Sequence, residues 1–262
     1  MLGNIRIFLI LLGLIVFLIF LLPLQLIALI ALRFGLPKPA GYLPMMFHRT
    51  VLKLVGIRLT VNGELPKHRP LLLVSNHVSW LDIVILGAMT PLSFVAKSEM
   101  LSWPVFGKLA QFQRTVFIQR EQRRQSATQA NAIAERMAAE EIMVLFPEGT
   151  TTDGNTLFPF KTPLFEAARF ALVASPVEEA LVQPVTIDYS HIHGLPIGRA
   201  ERPHVAWPGD LSLGESLIPI LRVGALDVTV HLGDPLVFTE HSKRKIVSAE
   251  ASKAISNMLL KR

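Results

Sequence analysis

The longest hydrophobic run in the chain lies near its N-terminal end. Residues 7–32 contain no charged side chain, and Arg6 and Arg33 bound the run. About 17 to 25 such residues suffice to cross a bilayer as a helix. The run is too long for a signal-peptide core, and no small-residue cleavage site follows it, so we predict a retained membrane helix. Pro23 would kink this helix or turn it back, which leaves both a spanning and a re-entrant anchor open.

A break with several Pro and Gly residues is predicted next, over residues 35–44. Residues 45–55 then have the pattern of a short amphipathic helix, which we expect at the membrane interface. The rest of the chain alternates short apolar runs, typical of strands, with patterns of helical period. Strands are predicted at 57–61, 71–74, 93–96, 115–118, 142–146, 181–187 and 226–232, and helices after residue 80 and at 103–112, 127–140, 163–174 and from about 242.

This alternation predicts an α/β fold with a mixed, mostly parallel sheet covered by helices on both faces. We divide the chain into an N-terminal membrane anchor with its interfacial helix, residues 1–56, and a second domain, residues 57–262. The length of 262 residues suits one domain plus an anchor.

Composition and charge favour a protein held at a membrane. Hydrophobic residues make up 51% of the chain and the net charge is +6, which fits contact with anionic headgroups. We expect membrane lipids as partners and no nucleic acid, because neither an RNP-like pattern nor a zinc-finger spacing is present. The chain has no Cys, which excludes a cysteine nucleophile, and no G-x-S-x-G elbow for a serine nucleophile.

The candidate chemistry lies in residues 76–82, Asn-His-Val-Ser-Trp-Leu-Asp, where a predicted strand gives way to a helix. Reactive groups collect at such strand ends in open α/β sheets. The carboxylate of Asp82 could reach one imidazole nitrogen of His77, fix its tautomer and leave the other nitrogen as a proton acceptor. A His-Asp pair at a strand end can equally be a structural hydrogen bond.

A second motif, Phe-Pro-Glu-Gly-Thr-Thr, begins at Phe146 at the end of another predicted strand. Pro147 and Gly149 would stop that strand and turn the backbone sharply. Glu148 would then be delivered at the same sheet edge as His77. The alternative is a plain turn with a solvated Glu.

Together with two further segments, these motifs resemble the glycerolipid acyltransferase family, the lysophosphatidic acid acyltransferases. The four blocks of that family are N-H-x4-D at residues 76–82, F-I-x-R at 117–120, F-P-E-G-T at 146–150 and a Pro-containing apolar strand at 182–185. Their order and spacing agree over roughly residues 54–236. The resemblance implies a glycerol-3-phosphate acyltransferase-like fold, with residues 57–262 as the acyltransferase catalytic domain.

The resemblance also implies a mechanism. His77 would take the proton from a lysolipid hydroxyl as it attacks an acyl thioester, and Asp82 would orient the imidazole. The donor would be acyl-CoA or an acyl-carrier protein, and the motifs do not say which. No cofactor, no metal and no covalent enzyme intermediate would be needed. The enzyme would act at a bacterial-type inner membrane, with its catalytic domain facing the cytoplasm.

Substrate-binding roles are carried over from the family onto matching residues. They concern Asn76, Lys97, Arg120, Glu148, Gly149 and Thr150. Arg120 would bind an acceptor phosphate with two hydrogen bonds, unless it is a surface residue of a basic run. Glu148 would either position the acceptor or shape the loop, and Gly149 would allow close approach of the backbone.

One departure from the family pattern concerns the acceptor. Many members that acylate lysophosphatidate have a basic residue after F-P-E-G-T, and this chain has Thr151 there. Lys97 and Lys161 could supply the missing charge, or the headgroup could differ. We expect 1-acyl-sn-glycerol-3-phosphate as acceptor, giving phosphatidic acid in phospholipid biosynthesis, and keep lyso-ornithine lipid as the alternative.

Two rival classes remain. A metal-dependent lipid hydrolase could use His77, Asp82 and Glu148 with His191 and His193, although no H-E-x-x-H helix is present. The last two His are predicted to lie in a Gly/Pro-rich loop. A non-catalytic membrane adaptor would have no use for the His-Asp pair.

Overall fold

The computed structural model describes residues 2–119, 126–175, 177–209 and 213–261. The helices are α1 (Leu2–Leu32), α2 (Pro37–Val55), α3 (Leu81–Met89), α4 (Phe106–Phe112), α5 (Ser126–Ala138), α6 (Glu166–Ala174), α7 (Leu213–Val223) and α8 (Arg244–Leu260). The strands are β1 (Ile57–Asn62), β2 (Leu71–Ser75), β3 (Ser93–Lys97), β4 (Val116–Ile118), β5 (Met143–Leu145), β6 (Glu179–Ile192), β7 (Leu195–Pro196), β8 (Leu226–Leu232) and β9 (Leu236–Thr239). Short 3-10 helices lie at Ser98–Ser102, Pro163–Phe165 and Arg202–His204.

The strands of the described chain form one mixed sheet in the order β1-β8-β6-β2-β5-β3-β4, with β7 and β9 also paired to β6. The pairs β1–β8, β2–β6, β2–β5, β3–β5 and β3–β4 are parallel, and β6 is antiparallel to β7, β8 and β9. The predicted α/β class with a mostly parallel sheet is therefore confirmed.

Strand β2 lies in the middle of the sheet and is buried on both faces. Leu71 and Leu73 pack into one hydrophobic cluster with residues of α2, α3 and α7, whereas Leu72 and Val74 pack into another with residues of α5, α6 and α8. Successive side chains of a strand point to opposite faces, so an unbroken apolar run is what a doubly covered strand requires.

The two N-terminal helices differ in part from the prediction. Helix α1 runs without interruption through Pro23, and its stretch Gly3–Leu32 is long and apolar enough to cross a membrane. Helix α2 begins at Pro37, so the predicted break over 35–44 was too long. A Pro fits the first turn of a helix because its missing N–H has no partner there anyway. The predicted end of α2 is confirmed, with Gly56 at φ +76° as its cap.

Side chains on both α1 and α2 attach this hairpin to the helices that follow it in the chain. Arg6 donates from Nη2 to Val55 O (2.6 Å) and from Nε to Leu221 O (3.0 Å), at the C-terminal ends of α2 and α7. Arg49 donates to Ala88 O (2.8 Å), near the C-terminal end of α3. A guanidinium is favourable at a helix C-terminus for two reasons, because it donates hydrogen bonds to the unpaired carbonyls and because its positive charge interacts with the negative end of the helix dipole. Helix α2 consequently lies between α1 and α3.

Candidate active site

The turn between β2 and α3 closes around one carboxylate oxygen. Asp82 Oδ2 accepts hydrogen bonds from His77 Nδ1 (2.8 Å), Val78 N (2.7 Å) and Ser79 N (2.9 Å). Asp82 is the second residue of α3, where the helix dipole favours a negative charge. The five-residue spacing between His77 and Asp82 thus lets the turn bring these three donors to one carboxylate oxygen. The predicted hydrogen bond between His77 and Asp82 is present.

Asp82 is fully buried, and its second oxygen also has a donor. Tyr189, on β6, donates its phenolic hydroxyl to Asp82 Oδ1 at 2.7 Å. A buried carboxylate stays charged only when such donors replace water. Burial and the neighbouring Asp82 raise the pKa of Tyr189 well above its ordinary value, which keeps the phenol protonated as a donor.

The imidazole of His77 is held in a defined orientation. Its Nδ1 is engaged by Asp82, and the ring of Phe146 stacks on it with 4.0 Å between centroids and 16° between planes. The side chain remains 17% exposed. Nε2 is therefore the nitrogen available to a substrate, and a proton on Nδ1 leaves it with a lone pair.

Asn76 extends the pairing of β2 with β6 beyond the last residues of the ladder. Its amide oxygen accepts from Ile187 N (2.9 Å), and its amide nitrogen donates to Ile187 O (3.2 Å). The side chain is buried and acts as a substitute for a backbone peptide. Asn76 therefore fixes the position at which the chain leaves the sheet just before His77. Both the oxygen and the nitrogen of its side-chain amide form hydrogen bonds within the protein.

Glu148 connects the two motifs. Its Oε1 accepts from His77 N (2.8 Å) and its Oε2 accepts from Phe158 N (2.7 Å). The carboxyl is buried, and this burial raises its pKa to about 7. The two backbone hydrogen bonds have the opposite, smaller effect of lowering the pKa. Of the two roles expected for Glu148, shaping the loop is the one that these contacts describe.

The loop after β5 folds back over the His77 turn. Gly149 has φ +78°, a backbone conformation that residues with a Cβ atom rarely adopt, and a Cβ atom there would lie 2.6 Å from Lys161 Nζ and require the Lys161 side chain to move. Thr152 N donates to His77 O at 2.9 Å. Thr150 is partly exposed, whereas Thr151 is buried. The loop thus brings Gly149 and Thr150 to the His77 edge, as the shared sheet edge predicted.

Two of the predicted substrate-binding residues stand apart. Lys97 ends β3 with an exposed side chain, and no hydrogen bond to the turn is among its contacts. Arg120 lies outside the described residues, so its role stays a prediction.

His191 lies on β6 rather than in a loop, and His193 follows it in a turn. Within the described ranges, no three His, Cys, Asp or Glu side chains converge as a metal site requires.

Three contributors to the site could not be named from the motifs alone. Phe146 was noted only as the start of its motif, and Tyr189 and Phe158 lie outside the matched blocks. Tyr189 does carry a signal, because it continues the face of β6 that holds Val185 and Ile187 and is buried with them in one hydrophobic cluster. A Tyr in a buried alternating pattern needs a partner for its hydroxyl.

Comparison with known proteins agrees with this arrangement. A family model described as Acyltransferase matches residues 57–188, a range that contains the turn, the loop after β5 and most of β6. The chain is 49% identical over 222 residues to a lyso-ornithine lipid O-acyltransferase of Rhizobium meliloti, which covers 85% of this chain and 76% of the relative. It is 46% identical to the Brucella abortus enzyme of the same name, over 99% of this chain and 96% of the relative.

More distant relatives carry a different name. The chain is 40% identical over 135 residues to a 1-acyl-sn-glycerol-3-phosphate acyltransferase of Neisseria meningitidis, which covers 51% of this chain and 53% of that one. The crystal structure of the 1-acyl-sn-glycerophosphate acyltransferase of Thermotoga maritima shares the fold, with a TM-score of 0.63 over 99% of this chain and 97% of that chain at 18% identity. The chain therefore belongs to the acyltransferase family, and it is a membrane-associated enzyme that acylates a lysolipid.

Proposed function

We propose that this enzyme transfers an acyl chain from a thioester donor to the hydroxyl group of a lyso-ornithine lipid, with His77 as general base. The geometry of the turn supports the chemical part of this proposal. The hydrogen bond from His77 Nδ1 to Asp82, at 2.8 Å, leaves Nε2 as the ring nitrogen that can take a proton, and the side chain is 17% exposed. The acceptor part is supported by the relatives named above.

The reaction needs one proton to be moved twice. Nε2 of His77 removes the proton from the acceptor hydroxyl while the oxygen attacks the thioester carbonyl. The C–S bond then breaks, and the departing sulfur takes that proton from the imidazolium. Ester and thiol are the products, and the imidazole is neutral again. The buried Asp82 carboxylate stabilises the imidazolium and keeps the proton on Nδ1 in the resting state.

The surrounding residues position the base and do not exchange protons with the substrate. Asn76 and Glu148 fix the backbone on the N-terminal side of the turn, and Phe146 fixes the plane of the ring. A base held by packing and hydrogen bonds loses little entropy when the acceptor binds, which is the advantage of a preorganised site. We assign Gly149 and Thr150 to the acceptor side of the cleft because their loop covers the turn.

Charge supports a lyso-ornithine acceptor. The headgroup of an ornithine lipid combines a carboxylate with an ammonium group, whereas lysophosphatidate ends in a phosphate that carries more negative charge. At the position where many lysophosphatidate enzymes have a basic residue, this chain has the buried Thr151. A less anionic headgroup needs fewer cations around it. The relatives from Rhizobium meliloti and Brucella abortus, which match most of this chain, carry the corresponding name.

1-Acyl-sn-glycerol-3-phosphate is the second candidate acceptor. It is favoured by the Neisseria meningitidis relative and by the F-I-x-R block, whose Arg120 could bind a phosphate in a two-pronged manner. If Lys97 or Lys161 approached the headgroup, either could replace the basic residue missing at Thr151.

For the anchor, we propose a helix that lies along the protein in one leaflet. Arg6 and Gln25 are about 28 Å apart along α1, and both bond to the rest of the chain, Arg6 to Leu221 O and Gln25 to Phe112 O. A helix held to one globular domain near both ends cannot cross to the far side of a bilayer. We place the catalytic domain on the cytoplasmic side of a bacterial-type inner membrane, where acyl thioesters are made.

A competition assay tests the acceptor. Purified enzyme receives equal amounts of lyso-ornithine lipid and 1-acyl-sn-glycerol-3-phosphate in the same micelles, with acyl-CoA or acyl-carrier protein as donor, and the two products are quantified by mass spectrometry. Their ratio equals the ratio of kcat/KM. We expect acylated ornithine lipid to predominate by at least about tenfold. A predominance of phosphatidic acid would assign the enzyme to the second candidate.

A further inference from the structure

Beyond the anchor, a second stretch of the chain exposes apolar side chains. From the end of the 3-10 helix at Ser98–Ser102 to the first residue of α4, the side chains of Leu101, Val105 and Phe106 are all exposed, and Val105 is 62% exposed. We call residues 101–106 the apolar loop. Contiguous exposed apolar groups on a soluble surface are unfavourable, and they mark a contact with another molecule or a membrane.

The apolar loop has a defined conformation that displays Val105. This residue has φ +64° and ψ −59°, which is rarely adopted by a β-branched residue. Hydrogen bonds on both sides maintain it, from Phe106 N to Pro104 O (2.7 Å) and from Gly107 N to Trp103 O (3.0 Å). Strained backbone that is held in place in this way is typical of functional positions. Here it holds an apolar side chain out of the protein.

The apolar loop is attached to the membrane helix. Gln25 of α1 donates from Nε2 to Phe112 O at 2.7 Å, at the C-terminal end of α4, and to Ala40 O of α2 at 3.1 Å. On the same stretch of α1, Leu24 and Ile27 are exposed. The apolar surface of α1 is therefore joined, by a partly buried hydrogen bond, to the helix that directly follows the apolar loop.

The other side of the apolar loop reaches the His77 turn. The ring of Trp103 lies against that of Trp207, with 5.9 Å between centroids. Trp207 N donates in turn to Val78 O at 2.7 Å, next to His77. Trp is enriched where hydrocarbon meets water, because its ring is apolar and its N–H is polar. The two Trp rings lie between an apolar surface and the base.

We propose that the apolar loop inserts into the lipid bilayer beside α1, and that this insertion places the His77 turn where a membrane-held acceptor can reach it. The occupant is a lipid surface, because the loop continues the exposed apolar face of a membrane helix. The inference rests on the membrane association of the enzyme and not on which lysolipid is the acceptor.

The absence of Cys from the chain allows a direct test by site-directed spin labelling. A nitroxide is placed at Val105→Cys and, as a control, at Val173→Cys on α6, which is 85% exposed on the opposite face of the sheet. Collisions with oxygen, which concentrates in hydrocarbon, are compared with collisions with a water-soluble nickel chelate. Each label is measured in mild detergent and after reconstitution into phosphatidylglycerol-containing vesicles.

In vesicles, the label at Val105 should become accessible to oxygen and protected from nickel, while the label at Val173 remains accessible to nickel. Equal nickel accessibility at both positions in vesicles would overturn the proposal. Protection of the Val105 label that appears without vesicles, on adding acyl-carrier protein or raising the enzyme concentration, would also overturn it, because the occupant would then be a protein.

A kinetic comparison covers the case in which the label itself disturbs the loop. Leu101→Gln combined with Val105→Ser removes apolar area from the surface, and Val173→Ser is the matched control. Because burying one such side chain favours membrane insertion, the double variant should raise the apparent KM for an acceptor in vesicles by about tenfold or more. Its kcat with the same acceptor in detergent micelles should match that of Val173→Ser. An unchanged KM in vesicles, or an equal loss in micelles, would contradict insertion.

Discussion

Asp82 determines the shape of the candidate site at the scale of single residues. Three donors from the turn meet on one of its oxygens, and a phenol from another strand meets the other. The first three donors lie within five residues of Asp82, so the N-H-x4-D spacing is enough to predict that they can reach its carboxylate. The phenol of Tyr189 is 107 residues away along the chain, and only the packing of β6 beside β2 brings it there.

The Tyr189 hydroxyl should influence how the His-Asp pair responds to pH. Its hydrogen bond draws negative charge away from Asp82, so Tyr189→Phe should leave a carboxylate that stabilises the imidazolium more strongly. We expect the acidic limb of the pH profile of kcat to move to higher pH by roughly 0.5 to 1 unit. The KM for the acceptor should change little, because the Tyr189 side chain is buried and its hydroxyl bonds to Asp82.

Tyr42→Phe is the matched control, since Tyr42 is the only other Tyr of the chain and is exposed. Its pH profile should coincide with that of the unmodified enzyme. If Tyr189→Phe instead lowers kcat by the same factor at every pH, the hydroxyl serves only the stability of the fold.

Glu148 should make the stability of the fold depend on pH. Burial raises its pKa from the ordinary value of 4.5 to about 7 in the folded protein. In this interval the folded state binds more protons than the unfolded state, so this group lowers the free energy of unfolding as pH rises through the interval. Between pH 4 and pH 8, the difference in that free energy between the unmodified enzyme and Glu148→Gln should fall by about 3 kcal/mol.

Urea denaturation in detergent, followed by circular dichroism at several pH values, measures this difference. Glu250→Gln on the exposed side of α8 provides the control and should show no such trend. A difference for Glu148→Gln that stays constant with pH would mean that the carboxyl ionises as readily in the folded protein as in the unfolded chain.

At the scale of secondary structure, strongly periodic and fully apolar segments were predicted well. The apolar run of β2 and the helical period of α5 both correspond to elements that are buried as predicted. The predicted helix over 103–112 was wrong in its first residues, where Val105 has positive φ and α4 starts only at Phe106. Local periodicity contains nothing about the close packing at this bend, where a Cβ atom on Gly107 would lie only 2.6 Å from Leu101 O.

Strand β6 is longer than predicted for a similar reason. The strand prediction covered residues 181–187, whereas the strand runs from Glu179 to Ile192. Its first residues pair with β9 and its last residues with β8, and neither partner can be recognised from β6 itself. Pro184 in its middle would ordinarily argue against a central strand. Element boundaries that depend on distant partners therefore could not be read from the sequence.

The packing of α2 against α3 gives a prediction at the same scale. A Cβ at Gly87 of α3 would lie 2.4 Å from His48 Cδ2, and His48 is buried with Nε2 3.0 Å from Gln113 Oε1. Gly87→Ala should therefore separate the two helices and lower the free energy of unfolding by about 1 to 3 kcal/mol. Thermal unfolding in detergent measures the change.

Gly214→Ala is the control, because a Cβ at Gly214 of α7 meets nothing within 4 Å. Replacing Gly by Ala inside a helix with open space should raise stability by about 0.5 to 1 kcal/mol. A Gly87→Ala variant as stable as Gly214→Ala would show that α2 and α3 do not pack so closely.

At the scale of the whole molecule, the sheet carries the base on one edge and the anchor on one face. Helices α1, α2, α3 and α7 share a hydrophobic cluster, and α5, α6 and α8 form the other layer. Because α3 starts at the His77 turn and α2 packs on α3, the N-terminal hairpin contacts the helix that carries Asp82. The sequence predicted the anchor and the motifs separately, and their relative position became visible only in the folded chain.

The order of the motifs along the chain, and not only their residue types, helped to predict the site. Their order along the chain places Asn76, His77, Asp82 and Glu148 at adjacent parallel strands, and the structure brings all four together. Arg120 lies outside the described residues and stays a prediction. The division of the chain near residue 56 also stays a prediction, although α2 contributes Val51 and Leu52 to the core on the far side of that division.

We propose that His77 is the general base of this acyltransferase. The most direct test measures acyl transfer to lyso-ornithine lipid by the His77→Ala enzyme in vesicles, together with the fraction of protein bound to those vesicles. We predict unchanged binding and thermal stability, with kcat lowered by at least about 100-fold, the usual contribution of a general base. A folded, vesicle-bound His77→Ala enzyme that retains a near-normal kcat would show that His77 is not the base.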